Sequence, residues 1–411
     1  MLQRTVTALV TSALLGAALL IAPAPSTAAS GTASSTYAIG ASQDSNCAIL
    51  ENHTLYCWGY NSSGVRGNGS FGFVPFHIPT QEVTQSTQWS HVIDGSDDHI
   101  CAIKTDSTLW CWGNNSDGQL GLGDGAPGSS ATPRQAIPGE KWRTGAAGRK
   151  FTCAIKLDAT LWCWGRNNYG QLGDGTTSSH FFDAVQVNGG GKWKSVSAAE
   201  DFTCGIKEDE TLWCWGRNDE GQLGNGTTTY RSSPTKVPGV WTAVDTGGGD
   251  EQPAVVCAKK SDATLWCWGR REQGTGQLGL GEGVAQSATP RRVAGAWGAF
   301  GVGRWGTCAI RNTQLWCWGD GYEGNLGRGA GDSHADSGLP LLVQGGGAWA
   351  SISRGADHGC FVQTDGTVWC LGQNYGSIPL RISLRGKVLK VIQDDSCDRS
   401  SRGRERCRPT R

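Results

Sequence analysis

Little in this chain argues for helices, for a partner of one charge, or for catalysis. One methionine occurs in 411 residues, and no stretch places apolar residues at sustained helical spacing, which excludes a helical bundle. Lys plus Arg and Asp plus Glu each number 36, so no global field steers the protein onto nucleic acid. Beyond residues 6 to 21 no segment is apolar over a length that would cross a bilayer. Gly-x-Ser-x-Gly and His-Glu-x-x-His are missing, and the seven histidines show no ligand spacing. No catalytic set, metal site or cofactor is expected, and the protein reads as non-enzymatic.

What abounds is glycine (62), tryptophan (19) and cysteine (16), the composition of a turn-rich, aromatic chain. Cys101-Ala-Ile-Lys-Thr-Asp-Ser-Thr-Leu-Trp-Cys-Trp-Gly113 recurs along it. The final aromatic of each copy falls at Trp58, Trp112, Trp164, Trp215, Trp268 and Trp318, with Leu371 in a seventh, at steps of 54, 52, 51, 53, 50 and 53 residues. A period near 50 residues predicts a repeat array, a propeller or a solenoid.

Within a copy, Leu109-Trp110-Cys111-Trp112 is apolar without a polar face and too short for a helix, so it reads as a strand covered on both sides. Fourteen cysteines pair off around it: Cys47 and Cys57, Cys101 and Cys111, Cys153 and Cys163, Cys204 and Cys214, Cys257 and Cys267, Cys308 and Cys317, Cys360 and Cys370. In six pairs a single residue marks the midpoint: Asn52, Asp106, Asp158, Asp209, Asp262 and Asp365. A three-residue hairpin loop centred there sets the cysteines opposite each other on two antiparallel strands. Asp and Asn suit a type I turn, and Gly366 stands where the following bulge needs positive φ. The shorter sixth pair has Asn312-Thr313 at its centre, an even-numbered loop that restores the same facing. Seven intrablade disulfides follow, each closing a loop of about ten residues and contributing about 2–3 kcal/mol. Zinc is the competing reading, but zinc sites bring close-spaced pairs together two by two.

Residues 1–29 predict an export signal: Arg4, the apolar run 6 to 21, then small residues with cleavage near Ala28. A retained anchor is the alternative, in a run barely long enough to span. The mature protein is expected to be secreted and free of the membrane, where disulfides persist.

Each repeat reads as four strands: one marked by Trp-x-x-Val, as at Trp193-Lys-Ser-Val196, two forming the cysteine hairpin, and a weaker fourth after a Gly-rich bend and a Pro, as at Pro234-Thr-Lys-Val237. Trp-Gly-Arg-Asn-Asp-Glu-Gly-Gln-Leu-Gly (215 to 224), with that hairpin before it, resembles the repeat of the regulator of chromosome condensation family. The resemblance covers nearly all of residues 35 to 385 and implies an all-β fold, a seven-bladed β-propeller of four-stranded antiparallel blades assigned to residues 30–386. Within the family, exported propellers that inhibit class A β-lactamases are similar in architecture, though their contact residues do not match this chain one by one.

Residues 387–411 read as a basic polar tail. Val388-Leu-Lys-Val391 there is a candidate further first strand, leaving open whether the ring closes through it or through the strand near Tyr37. Cys397 and Cys407 repeat the hairpin spacing and would close an eighth loop. Six arginines from Arg399 to Arg411 suit an anionic surface or a solvated terminus.

The loop between strands one and two shares a face with the bend between strands three and four, and there the copies differ most. The first loops carry Asp44, Asp97, Asp98, Glu200, Asp201, Asp250, Glu251 and Asp357 against Arg149, Lys150 and Arg304. An acidic bias around the channel would favour a cation or a basic partner surface. Phe151, Phe202 and Trp305 lie among them as candidate contacts, although both phenylalanines stand two places before a cysteine, as His99 and His358 do, and would equally fill a packing position. The expectation is a secreted, monomeric binding protein that offers this face to an extracellular protein, in one version as an enzyme inhibitor. A guanine-nucleotide exchange factor, as the best-known relative, is the alternative that an export signal opposes. A carbohydrate-binding or hydrolytic exported propeller is the third.

Overall fold

The computed structural model describes residues 35–37, 39–42, 44–72, 78–93, 99–248, 254–270, 275–281, 283–329, 335–384 and 390–392. The expected signal, the Cys397/Cys407 loop and most of the basic tail lie outside them.

Seven four-stranded antiparallel sheets follow one another, each made of strands consecutive in sequence. In blade four these are Trp193–Ala198, Phe202–Lys207, Leu212–Gly216 and Arg231–Val237. The second and third strands set the paired cysteines opposite one another, as in Cys204↔Cys214 and Cys308↔Cys317. All seven expected bridges are formed, one per blade.

The hairpin turns have the expected chemistry. Positive φ falls on the residue after each midpoint, at His53, Ser107, Ala159, Glu210, Ala263 and Gly366, while blade six has it at both Asn312 and Thr313, the mark of a two-residue turn. Each midpoint side chain accepts from the Thr two places on, as Asp158 does from the N–H and hydroxyl of Thr160 at 2.9 and 2.6 Å. That hydroxyl in turn accepts the Trp162 indole N–H at 2.9 Å.

Apolar cores lie between blades rather than within them. Cys47, Ile49, Leu55, Cys57 and Val65 of blade one pack with Trp89, Ile100, Ala102 and Trp112 of blade two, and an equivalent cluster fills each later junction, as between blades four and five. Bends latch the blades together. Indole N–H groups of Trp164, Trp215, Trp268 and Trp318 donate to the carbonyls of Gln119, Gln171, Gln222 and Gln277 in the preceding blade at 2.9–3.0 Å. Thus the Gly-Gln-Leu-Gly string is turn and latch.

The ring closes by side-chain packing between blades seven and one. Ile39, Ala48 and Trp58 join Val362, Val368 and Tyr375 in one core. The Ala41 N–H donates to Ser353 Oγ at 2.7 Å, and His358 Nε2 lies 2.9 Å from Asn46 Oδ1. Of the two expected routes the strand after Tyr37 supplies the innermost strand, Ile39–Ala41. Lys390–Ile392, within the range assigned to the tail, pairs instead with Ser35–Tyr37 as a separate antiparallel ribbon. Outer strands carry Pro133, Pro234, Pro290, Pro340 and Pro379, which blunts them as templates for further pairing.

Candidate interaction site at the channel mouth

The first strands of all seven blades surround a cavity of about 240 Å³, lined by Ala41, Val92, Gly145, Val196, Val244, Val302 and Ile352 among others. At its loop-rich end the variable first loops converge.

Glu200 and Asp201 are buried, at 4 % and 6 % exposure. The Glu200 carboxylate lies between Arg149 of blade three, at 3.6 Å, and Arg304 of blade six, at 3.9 Å, so it ties loops on opposite sides of blade five. Burial pushes its carboxyl up to about 7, against the pull of Arg304 and Arg149. Burial raises Asp201 as well, with Arg217 and Arg166 opposing. Lys150 reaches Asp117 at 3.6 Å. Asp357 is half-buried, and desolvation pushes it up to about 6, with Asp44 adding to the rise and Arg304 and Arg354 opposing it. The expected acidic ring is therefore compensated where Glu200 sits, and of its other described members Asp44 and Asp357 act on each other through their charge. Asp97, Asp98, Asp250 and Glu251 lie outside the described residues.

Phe151 and Phe202 are fully buried, opposite Gly165 and Gly216. His99 and His358 hold the same register opposite Gly113 and Gly372. The packing alternative is the one observed, and neither ring reaches the surface to touch a partner. Trp305 is different. It is partly exposed, the Arg304 guanidinium stands 5.5 Å from its ring centre, and its carbonyl accepts the Asp320 N–H at 2.8 Å. A rigid indole backed by a cation at a channel mouth is a hot-spot arrangement.

Two groups escaped the sequence reading. Asp245 lies in the first strand of blade five and accepts from the Val302 N–H at 2.8 Å, the Thr246 N–H at 3.0 Å and the Ser197 hydroxyl at 3.2 Å, clasping blades four, five and six. Desolvation pushes its carboxyl up to about 6, opposed by these three hydrogen bonds. Arg354, at the end of the first strand of blade seven, is 7 % exposed. The signal for both was a charge where the register holds Gly40, Ala146, Ser197 and Gly301, or one place further on, Ala41, Ala147, Ala198 and Val302.

Among the described residues no cluster of His, Cys, Asp or Glu is arranged to hold a metal, and every cysteine is bridged. No helix among them is long and apolar enough to cross a membrane.

The fold and its mouth define a class: a disulfide-stapled repeat propeller whose loops, not its framework, vary. Residues 37–65, 93–119, 143–171 and 193–222, and again 158–206 and 209–251, match models of the regulator of chromosome condensation (RCC1) repeat, so the chain carries repeats of that kind. The ultraviolet-B receptor UVR8 of Arabidopsis thaliana is 29% identical over 238 residues, 56% of this chain and 52% of the receptor. The chain thus spans about half the length of that relative. Among solved structures, human WBSCR16 superposes with a TM-score of 0.69 at 20% identity, covering 81% of this chain and 96% of its own. Prp20p of Saccharomyces cerevisiae, characterised for binding to Gsp1p and histones, gives 0.70 at 18% identity, covering 87% and 94%. At these identities the likeness shows the fold. Yeast RCC1 (Prp20) is also solved bound to Kap60.

Proposed function

We propose that this is an exported, non-enzymatic binding protein that offers the loop-rich face around its channel mouth to an extracellular protein, in one version an enzyme that it inhibits. The observation that carries the reading is Trp305 backed by Arg304, raised on a framework whose other tryptophans all occupy repeated positions. Export is supported by the seven bridges, which persist in oxidising compartments, and by the composition of residues 1–29. Interfaces that are rigid before contact lose little entropy on binding, and a stapled hairpin in every blade provides that rigidity.

The test is affinity capture from culture medium with mature protein and with a Trp305→Ala, Arg304→Ala double variant. A partner retained by the first and at least tenfold weaker on the second supports the reading. Equal retention by both, or retention of no protein at all, overturns it.

A further inference from the structure

Charge at the channel mouth is not balanced. Among the described residues none offers a hydrogen bond to Nε, Nη1 or Nη2 of Arg354, although the residue is more than nine-tenths buried. Its guanidinium occupies space left by glycines. A Cβ on Gly303 would stand 3.3 Å from Nε, one on Gly306 3.0 Å from Nη2 and one on Gly359 2.9 Å from Nη1. Gly303 and Arg354 both form the cavity wall, and Arg304 and Glu200 stand at the same mouth. The nearby acids do not satisfy it. Glu200 is shared between Arg149 and Arg304, and Asp357 acts on Arg354 through its field without forming an ion pair. A buried cation with no acceptor is strongly unfavourable, whereas the same cation facing an oxyanion makes short, charge-assisted hydrogen bonds.

We propose that the channel mouth is a carboxylate-binding site, with Arg354 as the pairing cation in the wall and Arg304 as a second cation at the rim. The planar fork of a guanidinium matches the two oxygens of a carboxylate. The cavity, about 240 Å³, admits a small organic acid or one side chain. The carboxylate comes either from a free small acid or from an Asp or Glu that a protein partner inserts, and only the second source rests on the reading of this face as a protein-binding surface. The polarity is opposite to that expected from counting acidic residues in the loops. Desolvation also holds Arg354 down to about 10, as for a cation without its counter-ion.

Malonate is the probe, titrated into the disulfide-intact protein against sodium chloride at equal ionic strength, with melting temperature and calorimetric affinity as readouts. Wild type is expected to show a saturable rise in melting temperature specific to malonate. Arg354→Met keeps the chain length without the charge, and is expected to melt above wild type in malonate-free buffer and to bind malonate at least tenfold more weakly. Arg354→Lys keeps the charge without the fork and should also bind more weakly. Equal malonate responses in wild type and Arg354→Met overturn the proposal, as does an Arg354→Met that melts lower without malonate, since the guanidinium would then have a native acceptor. Malonate that binds and displaces a captured partner identifies the partner's side chain as the source. Malonate that binds without displacing it identifies a free acid. Because the titration needs no partner, its failure is separable from failure of the protein-binding reading.

Discussion

Replacing His99 by Phe copies into blade two the solution already present in blades three and four, and it isolates one term of the acid response. The Thr152 hydroxyl donates to the Gln119 carbonyl at 2.8 Å, so His99 Nε2, 2.8 Å from Thr152 Oγ1, carries the proton and donates. Nδ1 is buried with no partner among the described residues. Protonation would place a charge there with neither water nor acceptor, and burial accordingly pushes the imidazole down to about 3. As pH falls below the unfolded value near 6.5, the unfolded chain takes up a proton that the folded one refuses, so stability present above that value is lost between it and about 3. With one pKa unit equal to about 1.4 kcal/mol, this single group removes about 2 kcal/mol on going from about pH 7.5 to about pH 5. Glu200 and Asp245, both raised, run the other way: their folded forms hold protons longer, and acidification through about 7 and about 6 favours folding. Wild type alone therefore shows a partly cancelled profile. The informative quantity is the difference between His99→Phe and wild type at the two pH values, from denaturant midpoints read by tryptophan fluorescence. Loss of the hydrogen bond to Thr152 offsets the variant by about 1 kcal/mol at both, leaving a relative gain of about 2 kcal/mol near pH 5. If the two proteins lose equal stability on acidification, His99 is not buried neutral and the reasoning fails.

Removing the blade-two bridge with Cys101→Ala and Cys111→Ala should lower stability by about 2–3 kcal/mol, measured by denaturation under oxidising conditions. Gly173→Ala would put a Cβ 2.6 Å from Trp215 Nε1 at a φ of +72° and should destabilise by about 1–3 kcal/mol, whereas Gly128→Ala, with nothing within 4 Å, should stay within about 0.5 kcal/mol of wild type in the same assay. Thr160→Val breaks the relay from Asp158 to the Trp162 indole, at a cost of about 1 kcal/mol. In an NMR titration the Asp158 carboxyl should then rise from the low position that its hydrogen bonds to Thr160 chiefly impose.

The framework was legible because its determinants are local and repeated. A midpoint Asp, a cysteine five places to each side and a Trp-Gly after the second define a hairpin whose register has little freedom, and seven copies leave only a closed ring. The candidate site was less legible because its contacts are long-range. Glu200 meets Arg304 only because the ring brings the first loop of blade six within reach of that of blade four. Phe151 and Phe202 looked like loop aromatics, yet the strand begins at each of them, and their phase along it turns them inward. Asp245 and Arg354 sit in the first strand, where the sequence gives burial but not which neighbouring blade a side chain meets.

Among the described residues, Asp245, Arg304 and Arg354 of blades five to seven line one side of the cavity, while the opposite arc presents Ala41, Ala146 and Ala147 to the same space. A ring of near-identical repeats can tolerate charge and bulk in its inner strands only where a compensating contact exists. Asp245 has three donors, Glu200 has two cations, and Trp305 has Arg304. Among the described residues the Arg354 guanidinium has no hydrogen-bond partner, which the proposed carboxylate would supply. The asymmetric arc is thus held together by its own contacts except at Arg354, the one place where a bound acid would add what the described residues do not.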